Sequence, residues 1–146
     1  MITSEVQYRA TRTHLARFDE AIANLEAKAA SEPGSKLTAL ELDAVRSQAD
    51  DLRTEIAEYE ELRSGGVAAL EGSSLAELAT LLIKARIARG WTQRQLADAL
   101  GVAEQQVQRY ESTGYRSASL ARICDVAAAL SLQVTERAVL GDSDAA

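Results

Sequence analysis

Residues 90–111 read GWTQRQLADALGVAEQQVQRYE. Thr92 is followed three residues later by Gln95, a spacing at which each side chain can satisfy an otherwise unpaired amide of the other, so a helix starts here. It runs to Leu100, and Gly101 supplies a sharp turn into a second short amphipathic helix. Ala97 is small where the two helices cross, Gly101 tolerates positive φ in the turn, and Val107 is a β-branched core residue on the second helix. That combination is a helix-turn-helix pattern.

With Val107 and Tyr110 facing inward, the outer arc of the second helix carries Glu104, Gln105, Gln106, Gln108 and Arg109. Packing gives no reason for such a cluster. A run of glutamines is ordinarily a solvated face, but on the second helix of this turn it has a chemical use. Gln makes paired hydrogen bonds to adenine and Arg to guanine, and each good pair discriminates by roughly 1–3 kcal/mol against the wrong base. Gln93 and Arg94 open the preceding helix, where free amides and side-chain donors can hold a phosphate. Tyr115 and Arg116 in the following loop are read as candidates for backbone contact, against the alternative of an ordinary exposed loop.

Around this core, Leu75, Leu78, Leu82 and Ile83 predict a helix ending near Gly90. Leu120, Ile123, Cys124, Ala127 and Leu130 predict one face of a closing helix, with Cys124 as a small core residue. Residues 132–139, LQVTERAV, are rich in β-branched types, and the alternation of Leu132, Val134 and Ala138 predicts a terminal strand. An isolated strand needs a partner edge, which a symmetric dimer would supply.

The chain of 146 residues is 47% hydrophobic but only 4% aromatic, with one proline, which is helix-forming stock. Charge is divided unevenly. Residues 1–72 carry 8 basic and 14 acidic side chains, residues 73–140 carry 8 and 6, and Asp142 and Asp144 close the chain. The net −6 therefore belongs to the first half, and the second is mildly basic, as a DNA-reading module can be.

In the first half, Tyr8, Leu15, Phe18, Ile22, Leu25 and Ala29 recur at alternating three- and four-residue spacing. After Glu32-Pro33-Gly34 come Leu42, Val45, Ala49, Leu52, Ile56 and Tyr59, then Gly65-Gly66. Two helices of about 26 residues, each roughly 39 Å long, would form an antiparallel hairpin. Two helices bury one seam each, so Leu15, Phe18, Ile22, Leu25, Val45, Leu52, Ile56 and Tyr59 are read as a seam for a second copy or a partner. The alternative is that the hairpin packs on its own second domain. Further reciprocal caps are expected at Ser4 with Gln7, Thr38 with Glu41 and Ser74 with Glu77. The expected organisation is a mainly α chain: an acidic hairpin over 1–63 for dimerisation or partner binding, a jointed linker over 64–74, a DNA-binding domain with its strand over 75–140, and a disordered tail over 141–146.

Arg86, Gly90-Trp91-Thr92-Gln93, Leu96-Ala97, Leu100-Gly101-Val102, Val107, Arg109 and Glu111 together resemble the XRE family, the phage-repressor-like (lambda-repressor-like) helix-turn-helix regulators. The resemblance covers residues 75–132, under half of the chain. It implies DNA contact at Gln93, Gln105, Gln106 and Arg109, and a structural ion pair between Arg86 and Glu111. Two residues depart from the pattern: Ala103 stands where a capping Ser or Thr is usual, and Glu104 sets a carboxylate near phosphates. A strand after such a domain is similar to antitoxins of the host-inhibition-of-growth (HigA) type, which repress their own operons. These resemblances imply a homodimeric repressor on an inverted-repeat operator in double-stranded DNA, with a cognate toxin as a further partner. A stand-alone or prophage repressor is the alternative, and a protein-binding adaptor using the hairpin is the reading from another class.

No enzyme is expected, nor a cofactor or metal. His14 is the only histidine and Cys124 the only cysteine, and no glycine loop suited to phosphate is present. No apolar run approaches the roughly 20 residues that cross a bilayer, and no charged-then-apolar leader opens the chain, so a cytoplasmic protein is expected.

Overall fold

The computed structural model describes residues 1–140; the expected disordered tail over 141–146 lies outside them. The described residues form six helices in order: α1 (Glu5–Ser31), α2 (Lys36–Arg63), α3 (Leu75–Ala88), α4 (Gln93–Leu100), α5 (Glu104–Ser112) and α6 (Leu120–Ala129). The expected strand is corrected: among the described residues there is none, and 132–139 run without regular structure. Nothing among the described residues offers that segment an edge, and unpaired β-backbone gains nothing from being extended. Val134 and Val139 are exposed accordingly.

α1 and α2 form an antiparallel hairpin whose polar pairs run in opposite directions along the two helices. Glu5 meets Arg63, Tyr8 meets Glu60, Asp19 meets Arg53, and Glu26 meets Arg46 at 2.7 Å. The turn depends on Gly34 at φ +93°, which closes α1 after its cap at Glu32. The seam residues Leu15, Phe18, Ile22, Leu25, Val45, Leu52 and Ile56 are all half-buried, and Tyr59 is buried. No residue of α1 is fully buried. A half-covered leucine contributes only about 1 kcal/mol, so this seam is thin for helices of this length.

The foot of the hairpin rests on the second half of the chain. Ile2, Tyr59 and Leu62 share one apolar cluster with Leu82, Ile83, Leu96, Val107, Val126 and Leu130. Tyr8 stacks on Tyr59 at 5.2 Å between ring centroids, continuing that contact up the hairpin.

Caps account for most helix starts. Ser4 accepts from the Gln7 amide, and Thr92 with Gln95 makes the full reciprocal box at 3.1 and 2.8 Å. The expectation at Thr38 is corrected: α2 starts three residues earlier, with Ser35 accepting from the Thr38 amide while Thr38 itself is buried. At Ser74 the box is incomplete. Ser74 is the cap residue but makes no side-chain bond, and Glu77 accepts from the amide and hydroxyl of Ser73 instead. α6 has a cap that the periodicity of apolar residues did not reveal, Ser119 accepting from the Arg122 amide. Its inward face is Ile123, Val126, Ala127 and Leu130, which keeps three of the five expected residues and replaces Leu120 and Cys124 by Val126. Leu120 and Cys124 are exposed, because counting back from Leu130 by three and four leads to Ala127 and Val126, and thence to Ile123.

Candidate nucleic-acid interface

α4 ends at Gly101, whose φ of +67° lets the Val102 amide reach back to the Ala97 carbonyl at 3.0 Å. This six-to-one closure fixes the angle at which the chain leaves α4. Ala97 and Leu96 on α4 and Val107 on α5 are buried, so α5 is held by an apolar floor of small and branched side chains. α5 begins at Glu104 with Ala103 as its cap residue and no side-chain acceptor there.

On the outer side of α5, Glu104, Gln105, Gln108 and Arg109 are exposed and Gln106 is half-buried. Arg94 at the start of α4 and Arg116 beyond α5 are exposed as well. Among these side chains the one hydrogen bond between members is Gln108 Nε2 to Glu104 Oε1 at 3.4 Å, so Gln105 and Arg109 are not tied to that pair. A rigid short helix thus presents amide and guanidinium donors to solvent, with an arginine at each end of the helix pair. Chemically this suits an oxygen- and nitrogen-rich edge such as the major groove.

Behind α5 lies a buried polar network. Arg86 of α3 is 2% exposed and donates from Nε to Glu111 Oε1 at 2.6 Å and from Nη2 to Oε2 at 2.8 Å. Its remaining donors reach the Trp91 carbonyl and the Thr3 carbonyl, both at 2.7 Å. Gln93 adds a third donor to Glu111, Nε2 to Oε2 at 2.7 Å. The two carbonyl partners were not legible in the sequence. Backbone carbonyls carry no residue-type signal, and Thr3 lies 83 positions from Arg86 in sequence. Gln93 is half-buried: its NH2 group serves the carboxylate, which orients the side chain at the foot of α4.

Tyr115 is corrected. Read as an exposed loop residue for backbone contact, it is 2% exposed, at φ +57°, with its ring stacked on Tyr110 at 5.8 Å. Its hydroxyl is buried without a partner, and burial pushes the phenol well above its ordinary pKa. An orphaned buried hydroxyl costs about 1–3 kcal/mol in lost hydration. Tyr115→Phe is therefore expected to raise stability by about 1 kcal/mol in urea unfolding. A loss of stability instead would mean that the hydroxyl has a partner in solution.

Among the described residues no group of His, Cys, Asp and Glu could hold a metal, and no helix is long and apolar enough to cross a membrane. His14 is exposed on α1, its ring tilted against Phe18.

Comparison with known proteins agrees with the geometry over part of the chain. No curated protein and no solved structure matches it. Residues 82–136 match the family model described as Helix-turn-helix, a span that takes in α4, α5 and α6 and the second half of α3 and leaves the hairpin outside. The match supports a helix-turn-helix domain of the XRE type over that span.

Proposed function

We propose that the protein is a sequence-specific DNA-binding transcriptional repressor that inserts α5 into the major groove. The observation that carries this reading is the outer face of α5. Gln105 and Arg109 are exposed and uncommitted on a helix whose other side is locked into the core by Val107, Tyr110 and Glu111. Arg94 and Arg116 flank that face with positive charge.

The protein acts as a homodimer in this reading, because a single α5 spans too few base pairs for useful specificity. The thin seam of the hairpin and the exposed apolar side chains Val6, Leu37 and Leu40 on its surface support association there. The finer proposal is the antitoxin of a type II toxin–antitoxin pair that represses its own operon. It rests on the acidic hairpin ahead of the domain, since the terminal strand that also suggested it is not formed.

Selection of bound duplexes from a random-sequence library tests both levels. The expected product is an inverted repeat with half-site centres about 34 Å apart. Absence of any enriched sequence would remove sequence-specific reading. Recovery of the selected site upstream of the protein's own gene, beside a reading frame whose product arrests growth unless the two are co-expressed, would support the antitoxin proposal. A site with no such neighbour would point to a stand-alone repressor.

A further inference from the structure

The hairpin does more than sit behind the reading helix. Its first turns form the facing wall of a groove of about 730 Å³ with the recognition elements. Ser4, Glu5 and Arg9 lie on one side, and Thr92, Gln93, Glu104 and Gln108 on the other. A smaller adjoining recess brings Thr3 and Gln7 against Gln93, Gln108 and Ser112. The placement is enforced from below: Ile2 is buried in the shared core, and the Thr3 carbonyl accepts from Arg86, the residue that also positions Glu111.

The charge on α1 is arranged to match. Although the first half is acidic as a whole, residues 1–18 hold Arg9, Arg12 and Arg17 against the single carboxylate Glu5. Glu5 is itself paired with Arg63 and touches Arg9 at 3.3 Å. That second contact is an exposed i,i+4 pair, a class worth a few tenths of a kcal/mol, and the Arg9 side chain is 79% exposed. Arg9 is therefore free to swing to a stronger anion. Glu104 on the opposite wall opposes an anion near α5, which places the favourable position nearer to Arg9 and the start of α4.

Resting on the DNA-reading role of α5, we infer that the first turns of α1 are part of the DNA interface. When α5 lies in the major groove, the sugar–phosphate backbone that borders it passes through the groove between α1 and α4, and Arg9 takes a phosphate there. The hairpin thereby widens the footprint beyond the helix-turn-helix domain and contributes to affinity without reading bases.

The test is the salt dependence of binding to a 24-base-pair random-sequence duplex, measured by fluorescence anisotropy from low to moderate KCl. Each phosphate neutralised contributes about 0.9 to the slope of log K against log salt. Arg9→Gln is expected to make the slope shallower by about 1 per bound subunit and to weaken binding about fivefold at 0.15 M salt. Arg17→Gln makes the same charge change on α1, about 12 Å farther along the helix, and is expected to alter neither. Both positions are exposed, so both variants should melt like the parent protein. Parent-like slopes for Arg9→Gln, or equal effects of the two variants, would overturn the inference while leaving α5 as the reader. Failure of the unaltered protein to bind duplex DNA at all would instead overturn the function proposed above.

Discussion

Glu111→Ala is expected to lower the unfolding free energy by about 3–5 kcal/mol, the cost of leaving a desolvated guanidinium without its counter-charge. Arg86 is almost wholly buried and makes four hydrogen bonds, two to Glu111 and one each to the Trp91 and Thr3 carbonyls. Removing the carboxylate deprives Nε of its acceptor and Nη2 of one of its two, and also frees the Gln93 amide. The two backbone carbonyls cannot replace a full negative charge. Because the net value of a buried pair against well-packed apolar residues is small, Arg86→Met combined with Glu111→Leu should recover most of the loss. Urea unfolding of the three variants checks this: a drop below about 1 kcal/mol for Glu111→Ala would show that water reaches the pair.

The same network explains why the reading face and the hairpin are mechanically joined. Arg86 connects α3 to α5 through Glu111, to the turn before α4 through Trp91, and to the N-terminal segment through Thr3. A side chain with three anchors in different parts of the chain leaves little freedom for α5 to rotate relative to α1.

Much of this architecture was legible in the sequence because it depends on local signals. The Thr92–Gln95 cap, the glycines at 34, 65, 90 and 101 and the apolar spacing of the hairpin each act within a few residues, and each recurs in the structure as a helix start, a positive φ or a half-buried seam. Errors arose where a long-range partner decides the outcome. Residues 132–139 have strand composition, but composition supplies no edge to pair with. Tyr115 occupies a loop, yet Gly114 and Tyr115 both adopt left-handed φ and turn its ring inward onto Tyr110. On α6 the expected Ile123, Ala127 and Leu130 do face inward, but the alanines blur the periodicity, and Leu120 and Cys124 lie outside while Val126 lies inside. The docking of Ile2 and Thr3 on the helix-turn-helix domain had no sequence signal at all.

Within the candidate interface, side chains of Gln105, Gln108 and Arg109 could be placed on one exposed arc because helical spacing alone puts them opposite Val107 and Tyr110. What spacing did not show is that Gln93 divides its capacity. Its NH2 group donates to the buried Glu111 carboxylate at 2.7 Å, which takes one of its two N–H donors.

Arg109 carries the largest expected effect on binding. It is exposed near the C-terminal end of α5, one turn from Gln105, and has no carboxylate partner among the described residues. In the proposed complex, reversing its charge removes a base-contacting donor worth roughly 1–3 kcal/mol and sets a carboxylate against the phosphates, so the combined loss is on the order of a hundredfold or more. The decisive measurement is the affinity of Arg109→Glu for the duplex selected by the parent protein, with circular dichroism, melting temperature and sedimentation confirming an unchanged fold and oligomer. A loss of that size is the expected result. Affinity equal to that of the parent protein would show that α5 does not read DNA.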